Sequence, residues 1–207
     1  MPLHAQNSRV LPPITLRDAK HSDIPVLSRV LARAFHHDPA HRWVFPEESA
    51  WACNSHRRFA NHLKRTLQRG VVTTTEDLQG AALWLSPMTS PDSFWDLIVT
   101  ILQALWLTGL RAPLVLRGFH VIEKTRPAEP HWSLPVLGVD PAYQGRGIGV
   151  ALLQPVLKRC DSERSLAYLV SSNGANLPFY ERQGFTVSGE FALPQGPKMW
   201  PMIRRPY

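Results

Sequence analysis

The sequence predicts one α/β domain whose sheet is mostly antiparallel and contains a single parallel crossover. Three observations lead to this prediction. The chain has 207 residues, a length that favours one domain. Short β-prone runs alternate along it with segments whose apolar residues recur at helical spacing. From Trp132 onward the order is strand, glycine-rich turn, helix and strand, which is the order of a parallel β–α–β unit.

The composition is that of a globular protein with an excess of positive charge. Apolar residues make up 44% and charged residues 19% of the chain, which excludes a fully disordered protein. The 23 Lys and Arg residues outnumber the 16 Asp and Glu residues, and the net charge of +7 favours anionic partners. Cys53 and Cys160 lie far apart without metal-ligand spacing, so we expect a reducing, cytoplasmic location and no disulfide scaffold or metal.

No membrane segment is predicted. The first 20 residues lack the continuous apolar run of a signal peptide. Residues 97–110 carry no charge, but these 14 residues are fewer than the roughly 20 of a spanning helix. We expect a buried helix, with Trp95, Leu102 and Trp106 in the core. The alternatives are that these side chains line a substrate cavity or the interface of a homodimer.

The N-terminal half is predicted to contain alternating strands and helices behind a loose arm. Residues 1–13 are polar and contain prolines, so we place the domain at 14–207. Ser22 and Asp23 offer a helix N-cap, and Gly70 offers a C-terminal stop. The predicted elements are a strand over Ile14–Ala19, a helix that follows Asp23 and is ended by His36-His37-Asp38-Pro39, a helix over Trp51–Arg69, a hairpin of Val71–Thr75 and Ala81–Ser86, and helices over Ser93–Leu110 and Leu114–Lys124.

The C-terminal half is predicted to complete a sheet of about seven strands flanked by helices. Pro155 lies inside one predicted helix, where it removes a main-chain hydrogen bond and should bend the helix. The predicted elements are a strand over Trp132–Val139, a turn over Asp140–Gly147, a helix over Gly147–Cys160, a strand over Leu166–Ser171, a short helix over Ala175–Gln183, and strands over Phe185–Leu193 and Met199–Ile203.

The glycine-rich turn is the segment most suggestive of chemistry. Gly145, Gly147 and Gly149 alternate where an apolar strand leads into a helix. Glycines let the main chain approach a ligand closely, and the free N–H groups at a helix start attract phosphate. The order GxGxG differs from the GxGxxG dinucleotide fingerprint, and the Gly-Lys-Ser/Thr of a Walker A loop is absent. The turn therefore indicates a phosphate or pyrophosphate ligand of another class, or else a tight turn alone.

Two segments carry a resemblance to a known family. Gln144-x-x-Gly147-x-Gly149 resembles the acetyl-CoA signature of the GNAT superfamily of N-acetyltransferases. The segment from Asn173 through Phe179-Tyr180 to Gly184-Phe185 resembles the second signature of that superfamily. The resemblance covers about residues 131–205, and residues 14–125 agree only in element order.

Within the superfamily the chain is most similar to the branch of puromycin N-acetyltransferase and its relatives. The shared features are Arg126-Pro-Ala-Glu-Pro130, the Asn176–Arg182 and Gly184–Val187 segments, Gly196-Pro197 with Trp200, and Pro155 inside the helix. That branch carries a carboxylate on the strand that ends near Val170, where this chain has valine.

The resemblance implies a role for each residue that matches the signatures. Tyr180 would be the general acid that protonates the leaving thiolate. The main chain of Leu137 and Val139 would pair with the pantetheine arm of acetyl-CoA, and Asn173 and Asn176 would border it. The pyrophosphate would be held by Gln144, Gly145, Arg146, Gly147, Gly149 and Val150.

The base that receives the proton of the amine is less well defined. The usual position of this base in the superfamily matches Ser133. His131 lies on the same strand face by parity and is the first candidate. Asp38 or His37, in the loop after the first helix, and a water-mediated route are the alternatives.

The resemblance implies transfer of acetyl from acetyl-CoA to a primary amine, and we expect a small-molecule acceptor. A protein or peptide N-acetyltransferase, or an acetyl-CoA-binding module that has lost its base, are alternatives. Nucleic-acid binding by the basic Trp51–Arg69 helix is disfavoured, because no nucleic-acid-binding motif accompanies it. His36, His37 and His41 share one loop and do not form a complete metal-ligand set.

Overall fold

The computed structural model describes residues 13–87, 101–102 and 104–207. In this part of the chain eight strands form a mixed sheet with helices on both faces. The strands are β1 (Leu16–Asp18), β2 (Gly70–Thr75), β3 (Gly80–Leu85), β4 (His131–Val139), β5 (Leu166–Ser171), β6 (Thr186–Val187), β7 (Phe191–Ala192) and β8 (Lys198–Arg204). The helices are α1 (Ile24–Ala34), α2 (Pro39–Val44), α3 (Glu48–Arg69), α4 (Ala112–Glu123), α5 (Ile148–Ser162) and α6 (Leu177–Glu181).

The sheet has the predicted character. Its order is β1-β2-β3-β4-β5-β8-β6, with β7 paired to β8. The β4–β5 pair is parallel, and every other pair among the described residues is antiparallel. The helix α5 makes the crossover between the two parallel strands, as the sequence predicts.

Several predicted boundaries are wrong, although the order of the elements is right. The first strand is shorter than Ile14–Ala19, and the segment after Phe185 forms two short strands in place of one. The helix predicted over Ala175–Gln183 is split into a 3-10 turn and α6. The helix α2 was not predicted, and α5 continues through Pro155. Half of the predicted Ser93–Leu110 helix lies outside the described residues. Residues 101–102 and 104–108, which the structure describes, are helical.

Two apolar clusters lie on opposite faces of the sheet. One is formed with α1 to α4, and its side chains recur every third or fourth residue along α1 and α3. The other lies under α5 and α6. Members of the first cluster are Leu27, Leu31, Phe59, Leu63, Leu83 and Val136, and members of the second are Trp84, Trp132, Ile148, Leu152, Leu153 and Phe185.

The expected burial of the apolar segment before α4 is not observed. Trp106 is 65% and Leu102 is 59% exposed, and Leu110 is fully exposed. Trp95 lies outside the described residues. Among the described residues no helix is both long and apolar enough to cross a membrane.

The strands β4 and β5 separate partway along β4. They pair only from His131↔Leu166 to Leu134↔Leu169. Between the pairs that join β4 to Leu85 and Leu83 of β3, β4 contains one residue more than β3 does. This extra residue is a β-bulge, and it falls beside Pro135, which has no N–H for the ladder. Beyond the bulge β4 follows β3 as far as Val139, while β5 follows β8.

The helix α1 packs closely on the end of β4. A side-chain carbon placed on Gly138 would lie 2.7 Å from Leu31 Cδ2 and 2.9 Å from Phe35 Cε2, so only glycine allows this approach. Asp140, just after β4, accepts hydrogen bonds from the Arg33 guanidinium and, at 3.1 Å, from the Ala142 N–H. These contacts bring the loop that follows α1 to the end of β4.

We expect Leu152→Ala to lower the free energy of unfolding by about 2–5 kcal/mol. Leu152 is a fully buried residue of α5, and its truncation leaves a cavity in the core. Leu110→Ala, at a fully exposed position, is the matched control and should change it by less than about 0.5 kcal/mol. Urea unfolding of both variants measures the difference. Equal stabilities would contradict the assignment of Leu152 to the core.

Candidate active site

The glycine-rich loop between β4 and α5 is exposed, and the space around its glycines is open. Gly145 and Gly147 have φ values of +75° and +80°, in the left-handed region that favours glycine. Gly147 occupies the N-cap position of α5, and no side chain caps this helix. A carbon added at Gly145 or Gly147 would meet no atom within 4 Å. The first N–H groups of α5 thus have no side-chain cap and carry partial positive charge beside this open loop.

Residues of this loop contact one another and the helix α6. The Arg146 guanidinium donates a 3.2 Å hydrogen bond to the Ala142 carbonyl and lies 5.2 Å above the ring of Tyr143. Gly149 faces Phe179, since an added carbon would lie 3.4 Å from its ring. Val150 lies on the exposed surface of the first turn of α5. The loop thus carries one positive side chain beside its glycines.

Beyond Leu134, β4 pairs with no described strand on the side where β5 has left it. The Asp140 N–H donates to the Gln79 carbonyl, on the side where β3 lies. Successive residues of a strand alternate in the direction of their N–H and C=O groups. The groups of Val139 and Leu137 therefore point to the edge that β5 has left. In agreement, Gln144 Nε2 donates a 3.0 Å hydrogen bond to the Val139 carbonyl from this side.

Asn173 and Asn176 lie after β5, across the gap from this edge. The Asn173 side chain accepts a 3.0 Å hydrogen bond from the Ala175 N–H, which caps the 3-10 turn Gly174–Asn176. Asn176 is the N-cap residue of α6, its side chain makes no capping hydrogen bond, and it is exposed. The structure thus gives Asn173 a structural role in the turn and leaves the Asn176 side chain available.

Tyr180 lies on α6, packed among aromatic rings. Its ring centroid is 5.1 Å from that of Phe179 and 6.0 Å from that of Phe185. Burial, together with the negative charge of Asp38, raises the pKa of Tyr180 above its ordinary value. The hydroxyl is therefore protonated throughout the neutral range, and it shares an electrostatic environment with Asp38.

Asp38 joins the loop after α1 to the end of β5. Its carboxylate accepts hydrogen bonds from the His41 N–H at 2.9 Å, from His41 Nδ1 at 2.8 Å, and from the Ser172 hydroxyl. Burial by itself would raise the pKa of Asp38, but the hydrogen bonds from His41 and Ser172 outweigh it, so the pKa lies below its usual value. Asp38 is thus a buried carboxylate that stays ionised.

The ring of His41 is held between aromatic side chains. It stacks on Phe59 at 5.2 Å between centroids and lies 4.5 Å from Phe35. Burial lowers the pKa of His41, and the positive charge of Arg58 lowers it further, while Asp38 acts in the opposite direction. The imidazole is therefore neutral at pH 7.

The expected base, His131, lies elsewhere. It begins β4, eight residues before Val139, which corresponds to about 26 Å at about 3.3 Å per residue. Its Nδ1 hydrogen-bonds to the Glu129 carbonyl at 2.8 Å. Because β4 and β5 are parallel, their starts lie together and so do their ends. His131 therefore lies at the opposite end of these strands from Ser172 and the glycine-rich loop. This placement does not support the expectation that His131 is the base.

Of the alternatives, the structure brings Asp38 to the site. His37 lies in the same loop, but its Nε2 faces His36 Nδ1 at 3.3 Å on the exposed surface. Ser133 is buried, and its hydroxyl lies 3.5 Å from the Arg126 guanidinium. No group of three or more His, Cys, Asp or Glu side chains in the described part of the chain is arranged to hold a metal ion.

Three residues of this region were not predicted from the sequence to shape the site. Pro135 inside a predicted strand could have indicated the bulge, since proline is confined to edges and bulges of sheets. His41 follows the Asp38-Pro39 cap signal at the position where its N–H reaches the cap, but it was considered only as a metal ligand. Ser172 has no local signal, because its partner Asp38 is 134 residues away in the chain.

Comparisons with known proteins agree with this geometry. Residues 116–205 match the family model described as an acetyltransferase (GNAT) domain. The chain is 29% identical over 150 residues to the uncharacterized N-acetyltransferase C550.08 of Schizosaccharomyces pombe, covering 67% of this chain and 61% of that protein. It is 30% identical over 156 residues to a mycothiol acetyltransferase of Beutenbergia cavernae, covering 72% and 45%. It thus spans about half to three fifths of the length of these relatives.

A solved structure from Corynebacterium glutamicum, titled as histone acetyltransferase HPA2 and related acetyltransferase, has the same fold. It superposes with a TM-score of 0.72 at 23% identity, covering 94% of this chain and 97% of that one. The likeness to the puromycin N-acetyltransferase branch remains a prediction from the sequence. The family match over residues 116–205, together with the two sequence signatures, supports membership of this chain in the GNAT superfamily of acetyltransferases.

Proposed function

We propose that the protein is an N-acetyltransferase that moves acetyl from acetyl-CoA to a primary amine of a small molecule by direct attack. The observation that carries the proposal is the continuous path from the unpaired edge of β4 to the glycine-rich loop at the start of α5. Family membership supports the same activity. Acetyl-CoA supplies the acetyl group as an activated thioester.

The residues of this path fit the two polar parts of acetyl-CoA. The free N–H groups around Gly145, Gly147 and Gly149 suit a pyrophosphate, with Gln144, Arg146 and Val150 beside them. Arg146 adds positive charge where the phosphates would lie. The outward main-chain groups of Leu137 and Val139 suit the amides of the pantetheine arm, which would bind as an added strand. Asn173 and Asn176 lie across the gap and would border the arm.

Two groups of the chain are assigned to the chemistry. The Val139 N–H points into the gap, where it can stabilise negative charge that develops on the thioester oxygen. Tyr180, across the gap on α6, keeps its proton at neutral pH because burial raises its pKa. Its hydroxyl is the group proposed to donate to the leaving sulfur, whose thiol has a pKa of about 8.5.

A small-molecule amine is the proposed acceptor, and two observations support it over the alternatives. Phe35 packs against Gly138 near the C-terminal end of β4, and Asp38 bonds to Ser172 at the end of β5, where a peptide acetyltransferase would need an open groove. The buried, ionised Asp38 with His41 is a costly arrangement that a module without catalysis does not need. The relative from Beutenbergia cavernae is itself named a mycothiol acetyltransferase. Homodimer formation through the apolar segment of Leu102 and Trp106, and a cytoplasmic location, remain predictions.

We expect Gly147→Val to raise the dissociation constant of acetyl-CoA by at least about tenfold, or about 1.4 kcal/mol. A side chain would protrude into the open space above the loop and would strain a residue at φ +80°. Gly109→Val is the matched control, since Gly109 also has a positive φ of +53° and open space but lies away from the loop. Isothermal titration calorimetry measures both. Unchanged affinity in Gly147→Val would contradict the pyrophosphate site.

We expect the wild-type protein to release CoA thiol with at least one member of a panel of small primary amines. Tyr180→Phe should lower kcat by about 10²–10⁴, because it removes the proton donor, while acetyl-CoA still binds. Thiol release is measured against a run without amine, since the exposed Cys53 also reacts with thiol reagents. Val26→Ala, at an exposed position on α1, is the control for substitution as such. An unchanged kcat in Tyr180→Phe would remove this residue from the mechanism.

A further inference from the structure

Three polar side chains from two distant parts of the chain form a hydrogen-bonded series, and the charge of one of them, Asp38, acts on Tyr180. The Ser172 hydroxyl donates to Asp38, and Asp38 in turn accepts a hydrogen bond from His41 Nδ1 at 2.8 Å. The Asp38 and His41 side chains are 9% and 13% exposed. Burial of such groups costs free energy unless they are paired, so a series that joins α2 to the end of β5 calls for an explanation.

Within this series Asp38 is poorly suited to act as the base. Its two oxygens already accept from the His41 N–H, His41 Nδ1 and the Ser172 hydroxyl. Hydrogen bonds to the ionised form stabilise it and lower its basicity, which agrees with the lowered pKa of Asp38. The carboxylate is instead well placed to orient its neighbours.

His41 has the properties that Asp38 lacks. With Asp38 ionised, the neutral ring carries its proton on Nδ1, which leaves a lone pair on Nε2. In the described part of the chain Nε2 has no hydrogen-bond partner. The stacked Phe59 and the adjacent Phe35 fix the plane of the ring. An Asp–His pair of this kind stabilises the imidazolium that forms when Nε2 takes up a proton.

We propose that His41 Nε2 is the base that accepts the proton of the acceptor amine, and that Asp38 is its positioning residue. This inference rests on the proposed function. As the nitrogen–carbon bond forms, the amine N–H bond breaks and its proton passes to Nε2. As the carbon–sulfur bond breaks, the sulfur takes the proton of Tyr180. His41 then gives its proton to solvent, and Tyr180 regains one, so that amine and acetyl-CoA become amide and CoA thiol.

The charges around His41 set the pH range in which it can work. Asp38 faces it from the loop before α2, and Arg58 and His62 from α3. Ser172, at the end of β5, and Tyr180, on α6, interact with Asp38. Burial lowers the pKa of Arg58 to about 10, so this residue remains cationic at neutral pH and opposes a second positive charge on His41. The pKa of His62 is lowered well below its usual value by burial and by Arg58, so His62 is neutral.

We expect the kcat/KM of the wild-type enzyme to fall in an acid limb that lies below the ordinary histidine pKa of about 6.5, because burial lowers the pKa of His41 and only neutral His41 can accept a proton. His41→Gln should lower kcat by about 10²–10⁴, lose this acid limb and keep its affinity for acetyl-CoA. Asp38→Asn should lower kcat as well. His62→Gln replaces another buried histidine of the same cluster and is the matched control, which should retain both rate and acid limb. Added imidazole should partly restore the rate of His41→Ala.

Two results would overturn the inference. One is a His41→Gln variant with the turnover and pH profile of the wild type. The other comes from a measurement that needs no turnover: nitrogen NMR of the histidine rings in the free protein. We expect the proton of neutral His41 on Nδ1, and a proton on Nε2 would exclude this nitrogen as the base. A wild-type protein that binds acetyl-CoA but turns over no amine would instead count against the proposed function.

Discussion

Separation of β4 from β5 is the constraint on which the candidate site depends. Had the two strands remained paired to the end, the main-chain groups of Leu137 and Val139 would be satisfied within the sheet, and no ligand could pair with them. The bulge beside Pro135 ends that pairing after Leu134. The open edge of β4 leads directly to the glycine-rich loop. One bulge therefore creates a groove that runs along β4 to the start of α5.

The same gap brings together parts of the chain that are far apart in sequence. Gly138 lets α1 approach the end of β4, and this places the loop that holds Asp38 over the site. Asp38 then bonds to Ser172 at the end of β5, and its charge reaches Tyr180 on α6. Burial acts in opposite directions on these groups: it raises the pKa of Tyr180 and lowers that of His41. The proposed acid is therefore protonated and the proposed base neutral at pH 7, as the proposed reaction requires.

The sequence predicted the parts of this arrangement that depend on local pattern. The glycine-rich loop, the crossover helix and the parallel strand pair follow from turn chemistry and hydrophobic spacing over a few residues, and the family resemblance rested on the same segments. The two short strands after Phe185 and the helix α2 were not predicted correctly. Elements this short are determined by their pairing and capping partners and leave little local pattern in the sequence. His131 was favoured as base on strand parity, which gives the face of a residue but not its distance from the site. The Asp38–Ser172 bond spans 134 residues, and no local pattern signals such a contact.

Thermal unfolding with and without acetyl-CoA tests the central claim most directly, namely that the open edge of β4 and the glycine-rich loop hold acetyl-CoA. A ligand present at 100 times its dissociation constant adds about 2.7 kcal/mol to the free energy of unfolding. In a chain of this size each kcal/mol raises Tm by about 2–4 °C. The account predicts a rise of about 5–10 °C with acetyl-CoA in the wild-type protein. A folded protein whose Tm does not change in millimolar acetyl-CoA would contradict it.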